Sequence, residues 1–523
     1  ARAWDQLPTV DAPPGIALSA TARDLDLFGP ASLYRLCCLA GTVLGRTLLA
    51  RWLLSPAAPS EALARQRGIA ELAEQLDLRQ ELAWRGQMRS DANPAADPTS
   101  LVSWAEGDVW LAHRPLLTWY SRLSPPLLIA LAVSDYFALT TGPWWQMILF
   151  GQIAVSLALV RGVHGIFRQI DAGEQQLQRY REMLALVETW PVTAPILAHL
   201  QQQLTVDGHR AHAQLSRLRR LLDLADLRFA QLVYGVIQAF TLWDFHVLAA
   251  LERWQRRFGR HIRGWLDVLA EFEALASLAT LAFDHPRWTY PKLDPQGPRT
   301  VSAVDLAHPL LSDPQRVGND VELGPPGNFL LVTGSNMSGK STLLRAVGLN
   351  LILAQAGAPV CASRLTLPRV AVETSMRIDD SLAAGVSLFL AELQRLKAIV
   401  DRARECGAAD QPVLVFLLDE ILHGTNSRDR QVAVRRVVQH LLDMGAIGAV
   451  STHDLELAAA GPLAMACHAV HFREAFSGAG DQRQMTFDYH LRTGIASSAN
   501  ALELLDLVGL TDHREVAKGD KAV

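Results

Sequence analysis

The chain has 523 residues, and its acidic and basic side chains nearly balance at a formal net charge of −4. This length allows two or three domains with separate cores. The charge balance excludes a global attraction to nucleic acid, although a local basic face remains compatible with one. Hydrophobic residues make up 50% of the chain, which is high for a soluble enzyme and suggests a membrane-seeking segment. The five cysteines form no CxxC pair, so we expect reduced thiols in a cytosolic protein.

The first predicted elements are helices. Apolar residues recur at helical spacing between residues 24 and 85, and residues 91–107, rich in turn-forming types, are expected to be a linker. We expect a first helical part over 1–123 and a long amphipathic helical return over 166–290. The proline-rich stretch 284–300 marks the boundary to the next domain.

An apolar hairpin is predicted at residues 124–165. Between 124 and 160 the only formal charge is Asp135, and the sequence TTGPWW divides the stretch into two apolar halves. Arginines flank both ends, as expected for a hairpin whose ends stay in the cytoplasm; they are Arg114, Arg122, Arg161 and Arg168. The halves are near the lower length limit for crossing a bilayer. The alternative is a helical hairpin buried in a soluble core.

Five arginines recur every three or four positions in the helical return, which predicts one shared helical face. They are Arg253, Arg256, Arg257, Arg260 and Arg263. A solvated surface is the ordinary explanation of such a face. The functional alternative is contact with the phosphates of DNA or of anionic lipids.

The stretch TGSNMSGKST, after the boundary, has the spacing of a phosphate-binding loop. It follows a β-rich run, 328–334, and precedes a helix that should stop at Gly357. The predicted ATP-binding residues are Gly334, Ser335, Asn336, Met337, Ser338, Gly339, Lys340, Ser341 and Thr342. In such a loop backbone N–H groups surround the phosphates, Lys340 reaches the outer phosphates, and Ser341 contacts Mg²⁺.

Two further predicted strands would supply the catalytic groups. The apolar run 413–420 ends in Asp419 and Glu420, and we expect Asp419 to hold Mg²⁺ and Glu420 to deprotonate the attacking water. The strand at 446–454 ends near His453, which is expected to contact the terminal phosphate or the water. A purely structural histidine is the alternative.

Between the loop and the acids, Gly385 and Ser387 open a predicted helix. Free N–H groups and a hydroxyl at this position suit an anion, although an ordinary helix cap uses the same residues. The position resembles the signature segment of ATP-binding-cassette proteins, which contacts ATP held by a partner subunit.

Taken in order, these motifs resemble the MutS family of DNA mismatch repair ATPases. The resemblance includes HPLL (308–311), ND (319–320), the loop, LLDEILHGTNSRDR, STHDLEL and the tail FDYHLRTGIASSANALELLDLVGL, and a second match, DLDLFGPASLYRL, lies near the start. It implies a P-loop ATPase domain over 300–490 beside an all-α lever-like domain. It also implies a C-terminal helical dimerisation segment at 491–523, a homodimer with ATP and Mg²⁺ at composite sites, and DNA as partner.

The departures from the family are also informative. Only 23 residues precede Asp24, so we expect no mismatch-reading domain in this sequence, and the apolar hairpin replaces the DNA clamp. Ser338, Leu422 and His423 differ from the usual residues of the repair proteins. The pattern is closest to MutS-related bacterial proteins with predicted membrane spans, so we expect a cytoplasmic ATPase that the apolar hairpin could tether to the inner membrane. The alternatives are a membrane-anchored mechanical ATPase that does not act on DNA, and a transporter ATPase.

Overall fold

The computed structural model describes residue 4 and residues 12–87, 98–139, 142–171, 174–335, 337–377, 388–406, 411–422, 427–453, 461–477 and 484–495. The chain divides into two compact units. The mixed unit comprises Ala1–Cys38, Ala50–Ala70 and Leu278–Val523, and the helical unit comprises Leu39–Leu49 and Glu71–Ser277.

Helices dominate the chain as far as residue 284. The first are α1 (Ala20–Asp24), α2 (Leu33–Cys37), α3 (Val43–Leu54), α4 (Pro59–Glu74), α5 (Leu76–Gln87), α6 (Thr99–Glu106), α7 (Pro115–Tyr136), α8 (Trp144–Asp171), α9 (Glu174–Thr189) and α10 (Pro195–Gln203). A small hairpin of β1 (Thr205–Val206) and β2 (His209–Arg210) follows, and then come α11 (Ala211–Ala225), α12 (Gln231–Thr241), α13 (Trp243–Phe258) and α14 (Ile262–Asp284).

Strands and helices alternate in the rest of the chain. In order they are β3 (Lys292–Leu293), β4 (Val301–Leu306), β5 (Asn319–Leu323), β6 (Phe329–Thr333), α15 (Lys340–Ala356), β7 (Arg364–Leu367), β8 (Val370–Ser375), α16 (Leu388–Glu405), β9 (Val413–Asp419), α17 (Ser427–Asp443), β10 (Ile447–Ser451), α18 (Pro462–Ala466), β11 (Cys467–His471), β12 (Glu474–Ser477), β13 (Gln484–Phe487) and β14 (Arg492–Thr493). The expected change from helices to a mixed helix and strand architecture is therefore confirmed.

Two local expectations were wrong. Part of the predicted linker is α6, because Leu101, Val102 and Trp104 give it a buried apolar face that the turn-forming residues before it obscure. The predicted long helical return is divided into separate helices. One of the breaks lies at Leu242, which adopts the left-handed conformation (φ 52°) between α12 and α13.

The predicted apolar hairpin forms α7 and α8 of the helical unit. Both helices are long and apolar enough to cross a membrane, with mean hydropathies of 1.3 and 1.6 in their most apolar windows. Only 22% and 11% of the residues in these windows are buried. The alternative of a hairpin buried in a soluble core therefore does not describe this structure.

A six-stranded sheet forms the centre of the mixed unit, in the order β14-β11-β6-β10-β9-β8. The five strands from β11 to β8 are parallel to their neighbours, and β14 is antiparallel to β11. Every residue of β6 and β10 is buried, as expected for central strands of a parallel sheet covered on both faces. A second sheet has the order β3-β7-β4-β5, and β12 pairs with β13.

Helix α15 leaves the loop after β6 and packs along the sheet. It is buried along almost its whole length. It ends at Ala356, and Gly357 then adopts a φ of 85° and donates its N–H to Leu353 and Ala354 carbonyl oxygens. A glycine at this left-handed position is a common helix stop, so the predicted end of the helix is confirmed.

A buried aspartate joins the N-terminal segment to the edge strand β8 within the mixed unit. Asp24 is 1% exposed and pairs with Arg395 at 2.6 Å. It also accepts hydrogen bonds from the Thr374 hydroxyl at 2.7 Å and from the N–H groups of Met376 and Arg377 at 3.1 and 3.2 Å. These contacts satisfy the carboxylate and fix the chain where it leaves β8. The sequence alone gave no indication of this role.

The Asp24→Asn substitution should therefore destabilise the mixed unit. It leaves the Arg395 charge without its buried partner, which typically costs on the order of 3 kcal/mol or more. The control is Asp26→Asn, because Asp26 is 34% exposed and its ion pairs should contribute about 1 kcal/mol or less. Asparagine also tolerates the left-handed conformation of that residue. We expect urea unfolding followed by circular dichroism to show a lower midpoint for Asp24→Asn only, and equal midpoints would contradict this role.

Candidate nucleotide site

Parallel pairing brings the three predicted motifs to one edge of the sheet. Ser451 at the end of β10 pairs with Val332 of β6 on one side and with Asp419 of β9 on the other. The carboxyl ends of β6, β9 and β10 therefore lie side by side. The loop after β6, the acids after β9 and His453 after β10 share this edge, as expected for ligand sites in open parallel sheets.

The loop after β6 curves round to the N-terminus of α15, which begins at Lys340. Gly339 has a φ of 106°, and a Cβ atom there would lie 3.2 Å from the Tyr489 ring, so both conformation and space favour glycine. Met337 also has a positive φ and is 84% exposed. The N–H groups of the first turn of α15 point toward the loop, an arrangement that suits an anion. The predicted residue Asn336 lies outside the described residues.

Lys340 lies within the loop, with its side chain 4% exposed. Its Nζ donates to the carbonyl oxygens of Gly334 at 3.0 Å and Ser335 at 2.9 Å. The same atom lies 3.4 Å from Glu420 Oε1 and 3.3 Å from His453 Nε2. The structure thus brings together the three residues that the sequence nominated as catalytic.

The two acids after β9 have different surroundings. The Asp419 carboxylate accepts a hydrogen bond from the Ser451 hydroxyl on the neighbouring strand. Glu420 has a φ of 46°, and its N–H donates to the Ser451 carbonyl oxygen at 3.1 Å. A left-handed glutamate is uncommon, and such conformations persist where the surroundings enforce them, often at functional sites.

His453 pairs with Glu420, with Nε2 at 2.6 Å from Oε1. Both side chains are partly exposed, at 43% and 27%. The Glu420 carboxylate is therefore held between an imidazole and the Lys340 ammonium and still contacts solvent. A carboxylate placed in this way is positioned to accept a proton from a water molecule at the sheet edge.

A buried carboxylate on α16 fixes the segment that follows the acids. Glu392 is 5% exposed, and its Oε1 accepts a hydrogen bond from the Leu422 N–H. Leu422 has a φ of 63°, which is unfavourable for a leucine. We attribute the stability of this conformation to the buried hydrogen bond, which links α16 directly to the acidic segment.

Lys340, Glu392, Asp419 and Glu420 line a cavity of about 1010 Å³. Two serine hydroxyl oxygens of the loop, Ser335 Oγ and Ser338 Oγ, are buried and have no hydrogen-bond partner among the described residues, and Ser338 lines the cavity. Buried polar atoms normally have partners, so these hydroxyls fit a phosphate group. Ser341 and Asp419 both line the cavity and are suitable oxygen ligands for Mg²⁺, which usually takes its other ligands from phosphate and water. Within the described residues, this site included, no group of three or more His, Cys, Asp or Glu is arranged to hold a metal ion.

The other side of the cavity is apolar and aromatic, and the sequence did not assign it a role. It includes Leu306, His308, Leu311, Phe487 and Tyr489. Burial and the nearby Arg345 lower the pKa of His308 to about 4, and its Nδ1 accepts the Leu310 N–H at 3.2 Å. His308 is therefore neutral at pH 7. A neutral side chain on this apolar side of the cavity suits contact with the flat, uncharged ring of a bound molecule.

Asn319 fixes the Tyr489 segment on this apolar side. Its Nδ2 donates to the Tyr489 carbonyl oxygen at 3.0 Å, and its Oδ1 accepts the Leu491 N–H at 2.6 Å. In the sequence, the only indication of the apolar side of the cavity was the family resemblance, whose motifs include HPLL, ND and FDYHL. Spacing alone could not bring together segments this far apart in the chain.

The remaining predicted site residues are the pair Gly385 and Ser387 and the five arginines of the helical unit. Gly385 and Ser387 lie outside the described residues. The five arginines are exposed in the helical unit, but α13 ends at Phe258, so Arg260 and Arg263 do not continue its face. Arg263 forms a two-point contact with Glu106, at 2.8 Å for each bond. Within the described residues it is the one of the five that pairs with a carboxylate.

Comparison with known proteins supports the resemblance. The family model described as MutS domain V matches residues 330–519. The chain is 32% identical over 250 residues to the DNA mismatch repair protein MutS of Natronomonas pharaonis, covering 47% of this chain and 27% of the relative. It is 30% identical over 276 residues to the DNA mismatch repair protein MSH6 of Arabidopsis thaliana, covering 49% and 20%. It is 30% identical over 313 residues to Endonuclease MutS2 of Thermomicrobium roseum, covering 54% and 38%.

The matches extend over only a minor part of each relative, between 20% and 38% of its length. The family model matches the segment that carries β6, the loop, the acids and His453. These findings support membership of the MutS family, on the strength of the C-terminal part of the chain.

Proposed function

We propose that this chain is a MutS-type ATPase that hydrolyses ATP with Mg²⁺ and acts on DNA. The observation that carries the proposal is the convergence of Lys340, Glu420 and His453 at the sheet edge, within 3.4 Å of one another. The loop hydroxyls of Ser335 and Ser338, which are buried and have no partner in the described part of the chain, and the match to MutS domain V support it.

Each residue has a role that follows from its position. The loop N–H groups and Lys340 bind the phosphates, and the apolar side near His308 and Tyr489 accommodates the base. Ser341 and Asp419 hold Mg²⁺, which would neutralise the charge on the phosphates. Glu420 accepts the proton of the attacking water, and His453 orients the Glu420 carboxylate through their hydrogen bond.

The Glu420→Gln variant should bind ATP but hydrolyse it about 10²-fold more slowly or worse, the scale of losing a positioned general base. The matched control is Glu322→Gln, which removes an exposed carboxylate of β5 that does not line the cavity. Steady-state ATPase rates and equilibrium ATP binding should be measured for both variants. A Glu420→Gln rate near that of the wild type would refute the assignment.

We propose further that each site is completed by Gly385 and Ser387 of a second copy in a homodimer. Neither Lys340→Ala nor Ser387→Ala alone should be active. Mixing the two should restore one complete site in each heterodimer, or about a quarter of the wild-type rate for random pairing in a two-fold dimer. Failure to recover activity, when labelled subunits are shown to exchange, would contradict a site shared between subunits.

DNA is the partner that the relatives' names favour, and the exposed arginines are the surface that we propose for it. A guanidinium group that contacts phosphates carries no information about base pairing. Binding should therefore be nearly equal for matched and mismatched duplexes. It should also fall steeply with salt, with a log–log slope of about −3 to −4 if four phosphates are neutralised.

This prediction is checked by replacing Arg253, Arg256, Arg257 and Arg260 with glutamine and titrating both duplexes at several salt concentrations. The control is Arg263→Gln, because Arg263 is already paired with Glu106. The fourfold variant should lose most of the affinity and of the salt dependence, whereas the control should change little. A mismatch preference above about tenfold, or about 1.4 kcal/mol, would show that another surface reads the duplex.

A second candidate is a membrane-anchored ATPase that works mechanically on a protein or lipid partner. The exposed apolar hairpin of α7 and α8 favours it. An absence of DNA binding at low salt would make this candidate the better of the two.

A further inference from the structure

Three helices of the helical unit present large apolar side chains to the outside, and we call this the apolar surface. On α7 they include Leu127, Ile129 and Val133, each at least 50% exposed. On α8 they include Met147, Phe150 and Leu157, exposed by 61–70%. The short helix α12 adds Val233 and Val236, at 55% and 62%. The apolar surface therefore extends beyond the hairpin that the sequence indicated.

Polar side chains lie between the same helices. Gln152 of α8 is fully buried, and its Nε2 donates to the Ser124 hydroxyl of α7 at 3.0 Å. Gln238 of α12 is 6% exposed and donates to the Ser156 hydroxyl of α8 at 2.8 Å. A water-soluble bundle normally buries its leucines and exposes its glutamines. Here Gln152 and Gln238 are buried between the helices while Leu127 and Leu157 are exposed, as in membrane helices that associate through inward polar contacts.

The distribution of charge gives the direction of insertion. Between residues 123 and 160 the only formal charge is Asp135, and its carboxylate accepts a hydrogen bond from Trp145 Nε1 at 3.0 Å. Both ends of the hairpin carry exposed arginines; they are Arg114, Arg122, Arg161 and Arg168. All four lie at the ends remote from the loop between the helices, so they would meet the headgroups of a single leaflet.

The lengths decide how deep the hairpin reaches. From Leu123 to the end of α7 the helix extends for about 21 Å, and from Trp144 to Val160 of α8 for about 26 Å. Both lengths are shorter than the roughly 30 Å of hydrocarbon in a bilayer, but they exceed one leaflet. Helix α12, at about 16 Å, contacts α8 through Ser156 and through His164, which lies 3.2 Å from Tyr234. It is therefore next to the Arg161 end of α8.

Lipid chains fit the apolar surface better than a second copy of the protein does. Leu127 and Ile129 are two positions apart, or about 200° around the axis of α7, yet each is 52% exposed. A flat protein interface covers one side of a helix and would leave the other in water. Lipid chains would cover both.

We infer that the apolar surface inserts into a lipid bilayer. The hairpin of α7 and α8 enters the hydrocarbon from one leaflet, with its arginines among the headgroups, and α12 lies at the boundary between headgroups and hydrocarbon. This inference rests on the second candidate function and specifies which surface would meet the lipid.

Flotation of the full chain with vesicles tests the inference. Wild type should float with phosphatidylcholine vesicles and more strongly when phosphatidylglycerol is included, because the arginines would meet anionic headgroups. The double variant Phe150→Glu, Leu157→Glu places charges at exposed positions where water would accept them and hydrocarbon would not. It should reduce the bound fraction about tenfold or more. Val236→Glu, near the headgroups, should have a smaller effect.

The control is Trp84→Glu, which changes a side chain that is 58% exposed in the same unit but outside the apolar surface. It should float like the wild type. The inference is overturned if the double variant floats equally well, or if wild type stays with the vesicle-free fraction. It is also overturned if sedimentation without vesicles shows a dimer that the double variant abolishes, since a second copy would then cover the surface.

Membrane binding and ATP hydrolysis can fail independently. The double variant should keep the ATPase rate, whereas Glu420→Gln should lose the rate and still float. A wild type that hydrolyses ATP but does not float would overturn only the inference about lipid. A wild type that floats but does not hydrolyse ATP would overturn only the proposed nucleotide site.

Discussion

The parallel alignment of β6, β10 and β9 is the constraint on which the site depends. Because Ser451 lies level with both Val332 and Asp419, whatever follows each strand emerges at the same edge. Lys340, Glu420 and His453 are separated by up to 113 positions, yet the two carboxylate contacts are 3.4 Å and 2.6 Å long. Slipping one strand by one residue would reverse its side chains and separate these groups.

Buried hydrogen bonds then fix the segments that the sheet leaves free. Glu392 holds the left-handed Leu422 after the acids, and Asn319 holds Tyr489 against the loop. Asp24 holds the chain beyond β8. Each is a polar side chain that binds backbone N–H or C=O groups of a distant segment, and these bonds orient the walls of the cavity where the sheet itself does not reach.

The helical unit follows a different physical rule from the mixed unit. In the mixed unit the apolar strands are covered and the charged groups line an open cavity. In α7, α8 and α12 the amides of Gln152 and Gln238 are buried between the helices, while apolar side chains such as Leu127 and Leu157 are exposed. If the proposed ATPase function and the lipid contact both hold, ATP would be hydrolysed at a membrane, which is compatible with either DNA or a membrane component as the partner.

Local patterns in the sequence determined much of the sheet edge that carries the candidate nucleotide site. The three central strands, the stop at Gly357 and the two apolar helices were predicted correctly, because each depends on residues within about 20 positions of one another. The phosphate-binding role of the loop stays a prediction. The sequence also nominated Lys340, Asp419, Glu420 and His453.

Only the tertiary structure decided that Asp24, Glu392, Asn319 and His308 help to form the walls of the cavity. Each acts on a segment far away in the chain or through burial, and periodicity and spacing carry no information about such contacts. The outward direction of the apolar side chains was likewise decided only in three dimensions, since composition shows that a helix is apolar but not which side is covered.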